Sequence, residues 1–137
     1  MTTSLERDLT IERFECGEID AERFDHEAHV YVAWLYVTEF DLPDAIARFD
    51  SALRRLTAKL GVPGKYHATI TWLFLLLIAE RIRANENWQA FRERNPDLVR
   101  ESKATLQSYY SVARLSSDAA RDHFVLPDRI PAMGTSG

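Results

Sequence analysis

Three of the four histidines in this chain, His26, His29 and His67, stand where two apolar segments begin. His26 and His29 are spaced i, i+3, which on a helix puts both imidazoles on one face about one turn apart. Ala33 and Tyr36 continue that face, and Asp25 and Glu27 bracket the pair. His67 opens the second segment in the string KYHATIT, with Thr71 one turn further along. The positive end of a helix dipole disfavours imidazolium, so histidines at a helix start stay neutral and able to ligate a metal or take a proton.

Three kinds of chemistry follow from that placement. His26, His29 and His67 could supply three nitrogens to Zn²⁺, Fe²⁺ or another divalent transition ion, leaving a position for water or substrate, with Glu27 as a nearby carboxylate. No H-E-x-x-H or E-x-x-H string accompanies them. The same three side chains could instead share acid–base work in a metal-free polar pocket. In the third reading they are structural, with His26 and His29 capping a helix start and His67 satisfying a loop carbonyl. Lys65, Tyr66 and His67 follow a glycine turn, where exposed amides, an ammonium and a phenol would hold a carboxylate or phosphate. Lys65 and Tyr66 are therefore expected to bind ligand and Thr71 to support His67. The alternative has Lys65 solvated and Tyr66 packed. His123 reads as a surface residue. The serines at 111, 116 and 117 have no nucleophile-elbow context.

The elements that must position these residues are helical. Ala28 to Val37 and Ile70 to Ala79 are apolar almost all the way round, each with one exception, and at ten residues each they are too short to span a bilayer. Such segments are the buried central helices of a helical domain. The β-favouring Val30, Tyr31 and Val32 leave a strand as the competing reading for the first. Asp41 and Pro43 start a helix that Gly61 stops, with Ile46, Phe49, Leu53, Leu56 and Leu60 along its inner stripe. Asn87 caps a short helix carrying Trp88 and Phe91. Asn95-Pro96-Asp97 starts one carrying Leu98, Leu106 and Tyr109, and Ser116 or Ser117 begins a last short turn. The expected fold is an all-α, compact single-domain helical bundle around two central apolar helices. Residues 1–24 form short helices or an arm packed on the domain, 25–125 the core and 126–137 a flexible tail.

Composition agrees with one domain. The chain has 137 residues, 46% of them hydrophobic, and only ten Gly plus Pro, which suits a packed core rather than disorder. The net charge of −4 gives no general support for nucleic-acid or anionic-membrane binding. One cysteine, Cys16, excludes an internal disulfide. The start MTTSLERDLTIERFE lacks the basic and apolar regions of a signal peptide, so a soluble, cytoplasmic protein is expected.

The segment Phe24-Asp25-His26-Glu27-Ala28-His29, with Phe14, Gly17 and Ala33-Trp34 around it, carries a resemblance together with Gly64-Lys65-Tyr66-His67, Thr69, Thr71 and Asn95-Pro96-Asp97. The chain resembles a family of small bacterial helical proteins with F-x-H-x-x-H and K-Y-H-x-T-x-T segments. That resemblance draws attention to the histidines and brings no assigned activity. The leading expectation is a metal- or histidine-dependent enzyme acting on a small polar or anionic molecule. A noncatalytic ligand- or ion-binding module is the alternative, and a structural protein forming a homodimer through Trp88, Phe91 or Tyr110 is a third.

Overall fold

The computed structural model describes residues 9–130, and the regular elements among them are all helical. They are α1 (Ile11–Cys16), α2 (His26–Glu39), α3 (Leu42–Lys59), α4 (Ala68–Arg81), α5 (Trp88–Arg94), α6 (Pro96–Val99), α7 (Ser102–Tyr109), α8 (Val112–Leu115) and α9 (Asp118–Asp122), with 3₁₀ turns at Ala21–Arg23 and Pro63–Lys65. Several starts are set by side chains that satisfy orphan amides. Asp25 Oδ1 accepts the Ala28 N–H at 2.9 Å, Asn87 Oδ1 accepts that of Ala90 at 2.9 Å, and Ser117 Oγ accepts that of Ala120 at 3.2 Å. Asp41 makes no such bond; Pro43, with its preset φ, occupies the first turn of α3 instead.

The two apolar segments are the central, mutually packed helices α2 and α4, and the strand reading of the first is not realised. Helix α2 is apolar all round because α1, α3, α4 and α6 all pack on it. Phe14 from α1 stacks on Phe49 of α3 at 5.2 Å and meets Tyr36 of α2 edge-on at 6.0 Å. Trp34 and Tyr31 on another side of α2 meet Trp88 of α5. Burial on that scale is the main stabilising term, roughly 1.5–3 kcal/mol for each large apolar side chain removed from water. Phe74 and Leu77 of α4 are both buried, as the apolar run predicts.

Gly17 ends α1 in the left-handed region (φ 74°), where the Lys59 ammonium reaches its carbonyl and that of Cys16 at 3.3 and 3.4 Å. A Cβ at position 17 would meet only the flexible end of the Lys59 side chain, at 2.9 Å, so it is the left-handed backbone rather than space that calls for glycine.

Three details depart from the sequence reading. The expected single helix after Asn95 breaks into α6 and α7, because the Pro96 carbonyl takes both the Arg100 and Glu101 amides (2.8 and 3.2 Å). The Thr105 hydroxyl covers the Asp97 carbonyl at 2.7 Å across that break. Helix α8, which the pattern does not show, starts at Ser111, whose Oγ accepts the Arg114 N–H and donates to Asp128. The beginning of the expected tail is held in place: Arg129 N–H reaches the Tyr109 carbonyl at 3.0 Å and Arg114 the Leu126 carbonyl at 2.7 Å. Residues 1–8 of the arm and 131–137 of the tail lie outside the described residues. Trp88, Phe91 and Tyr110 are fully buried, so none is presented for dimerisation. No helix among the described residues is long and apolar enough to cross a membrane.

Candidate functional site

A cavity of about 490 Å³ opens between α2, α3, α4 and the two 3₁₀ turns. The inner face of α3 supplies a wall of Phe49, Leu53 and Leu56, which Leu60 continues just past the helix end, and Thr57 beside them spends its hydroxyl on the Leu53 and Arg54 carbonyls. Facing this wall are the starts of α2 and α4, which contribute Asp25, His26 and His29 on one side and Lys65, His67 and Thr71 on the other. All three singled-out histidines therefore reach one cavity, as the reading of two neighbouring buried helices requires. The hydrogen bonds show that they do different things there.

His67 is the N-cap of α4. Its Nδ1 accepts the Ile70 N–H at 3.2 Å, and its Nε2 donates to the Leu115 carbonyl at 2.8 Å. A carbonyl can only accept and an amide only donate, which fixes the tautomer with the proton on Nε2. Both ring nitrogens are spent on backbone. Thr71 donates its hydroxyl to the His67 carbonyl at 2.8 Å, so its support for His67 runs through the backbone rather than the ring.

His26 donates Nε2–H to the Leu98 carbonyl at 2.8 Å and sits edge-on to Phe74 at 5.2 Å. That bond ties the start of α2 to α6 and leaves Nδ1 as the lone-pair nitrogen.

His29 differs from both. Its ring lies 4.2 Å from that of Phe24, and neither nitrogen has a hydrogen-bond partner among the described residues. Burial, and then the neighbouring His26, lower its pKa from 6.5 to about 4, with Asp25 opposing the shift. At neutral pH His29 is thus an uncharged imidazole with one donor and one acceptor unspent, facing a largely apolar space.

The remaining expectations divide. Lys65 lines the cavity at its exposed edge, and its ammonium makes no ion pair or hydrogen bond among the described residues. Tyr66 does not line it. Its hydroxyl donates to Asp50, which also accepts Trp72 Nε1 at 3.2 Å and Arg54 Nε at 2.9 Å, while the Arg54 guanidinium lies 4.2 Å over the Tyr66 ring. Tyr66 is a packing residue, and its burial against a carboxylate raises its pKa. His123 is exposed and away from the cavity.

The geometry does not assemble the three-histidine metal centre. His67 has no lone pair to offer without giving up a helix cap. Among the described residues, no group of three or more His, Cys, Asp or Glu side chains is arranged to hold an ion. The cavity's apolar wall is what sequence reasoning missed. Phe49, Leu53 and Leu56 read as ordinary core on an amphipathic helix, and no residue pattern distinguishes a stripe packed against another helix from one facing a void. Comparison with protein-family models, with curated proteins and with solved structures finds no match.

Proposed function

We propose that this protein binds a small, largely apolar molecule in the α2–α3–α4 cavity, with the uncharged imidazole of His29 making the directional contact to its polar group. One observation carries the reading: an imidazole with both ring nitrogens free of protein partners among the described residues faces a largely apolar space of about 490 Å³. His29 is half-buried, with ring nitrogens that open onto the cavity rather than being sealed from solvent, and a ligand entering there offers them a partner. The volume falls within the range of small-molecule sites, which combine apolar lining with a few placed polar groups. In this reading His26 and His67 are positioning residues that fix the starts of α2 and α4, and Phe24 packs beside His29 at the edge.

The test uses phenylnaphthylamine, an uncharged apolar fluorophore whose emission rises on leaving water. Wild-type protein is expected to give saturable enhancement at one equivalent, and Ile70→Trp, which places an indole in the cavity, to abolish it while remaining helical by circular dichroism. Absence of saturable binding, or equal binding by the folded Ile70→Trp variant, contradicts the reading.

A further inference from the structure

Of the side chains that cap described α-helices, all but one accept through oxygen. Thr10, Asp25, Asn87, Ser111 and Ser117 do so, and a hydroxyl, amide or carboxyl oxygen keeps a lone pair in acid. Helix α4 is capped by nitrogen, with His67 Nδ1 accepting the Ile70 N–H at 3.2 Å. An imidazolium carries a proton on both nitrogens and has no acceptor. A proton taken up at Nδ1 therefore sets N–H against N–H, and the cap is lost. Swinging the ring aside would also draw Nε2 off the Leu115 carbonyl, which it holds at 2.8 Å.

The consequence falls on the cavity, because His67, Ile70 and Thr71 line it together with Lys65 from the preceding turn. The other charged or titratable groups in that lining are Asp25, His26 and His29 at the start of α2, and α3 contributes none. From α9, Arg121 donates to the Gly64 carbonyl at 2.6 Å. An imidazolium at position 67 thus shares the space with an ammonium, the positive end of α4 and one carboxylate. Asp25 can screen its charge and cannot return the lost acceptor. We propose that His67 is an acid-operated latch on the cavity: a proton at Nδ1 uncaps α4, puts a cation into the space that an apolar ligand occupies and releases that ligand. The latch rests on the binding reading above and gives that site its regulation.

Phenylnaphthylamine is uncharged both at neutral pH and at about pH 5, an interval in which imidazole ordinarily changes charge, so a change in its affinity reports the protein. His29, held down to about 4 by burial and then by His26, stays largely uncharged at both. Wild type is expected to bind about tenfold or more weakly at the lower pH, since only the capped fraction is competent. His67→Asn, whose amide oxygen caps at either pH, should change by no more than about twofold. In ¹⁵N-histidine-labelled wild type the His67 Nδ1 resonance should pass from the lone-pair to the protonated position as the fluorophore is released, a readout that does not depend on how the variant folds. If wild type binds equally at both pH values, if His67→Asn loses as much affinity as wild type, or if release occurs while Nδ1 keeps its lone pair, the latch is wrong and the binding reading stands. If wild type shows no saturable binding at neutral pH, both proposals fall together.

Discussion

His67 donates Nε2–H to the carbonyl of Leu115, 48 residues away in sequence, at 2.8 Å, while its Nδ1 caps α4 through the Ile70 amide at 3.2 Å. One side chain thereby starts a central helix and anchors the end of α8 to it. The residue with the most suggestive sequence context is the one whose chemistry is most completely used by the fold.

Loss of His67 should therefore register in stability. His67→Ala removes a cap, worth about 1 kcal/mol, and leaves the Leu115 carbonyl without its donor, about 1–3 kcal/mol more if it stays dry. His67→Asn should recover part of the loss by retaining a capping acceptor. Urea denaturation midpoints of the three proteins give the comparison.

His29 should behave in the opposite way. Its ring has no hydrogen bond to lose, so His29→Leu is expected to be within about 1 kcal/mol of wild type at neutral pH, or more stable. A loss comparable to that of His67→Ala would show that His29 holds the fold together.

The lowered pKa of His29 fixes a pH dependence. Its folded value of about 4 lies below the ordinary 6.5 because of burial and then His26. Between those values the unfolded chain binds the proton and the folded chain does not. Stability is therefore full above about pH 6.5, falls as pH drops through that window and levels off below about 4, a loss on the order of 3 kcal/mol. His29→Gln should flatten that part of the profile. Unfolding free energies measured at intervals from neutral to acid pH in both proteins decide it.

Asp50 should matter far more than its position on an outer helix suggests. Its carboxylate accepts from Tyr66, Trp72 and Arg54, whereas Asp44 pairs only with exposed Arg48 one turn away. Asp50→Ala is expected to cost about 2–3 kcal/mol by stranding partly buried donors, and Asp44→Ala no more than about 0.5 kcal/mol. Equal costs in thermal denaturation would mean that the Asp50 cluster is solvated.

The fold was legible where one residue type has one physical consequence. The all-round apolar runs led to α2 and α4 because a helix with no polar face must be surrounded. Gly61, Asn87 and Ser117 marked boundaries through turn and cap chemistry. The break between α6 and α7 was not legible, since Leu98, Leu106 and Tyr109 keep a helical spacing while the Pro96 carbonyl takes two amides. At the site, the convergence of His26, His29 and His67 could be read from their places at two helix starts. Their division of labour could not, because Leu98 and Leu115, which supply the carbonyls that occupy His26 and His67, are far away in sequence and contribute through backbone rather than side-chain identity.

The central claim is that His29, whose two ring nitrogens both lack a partner among the described residues, is the cavity histidine that meets a ligand. Imidazole nitrogen resonances of ¹⁵N-histidine-labelled protein, assigned with His29→Gln and His67→Asn, test it directly during titration with phenylnaphthylamine. The ring signals of His29 should move and saturate, while those of His67 keep the pattern of a single tautomer with Nε2 protonated. A His29 signal that stays fixed as phenylnaphthylamine saturates, or a His67 ring that exchanges tautomers and shifts in its place, would contradict the account.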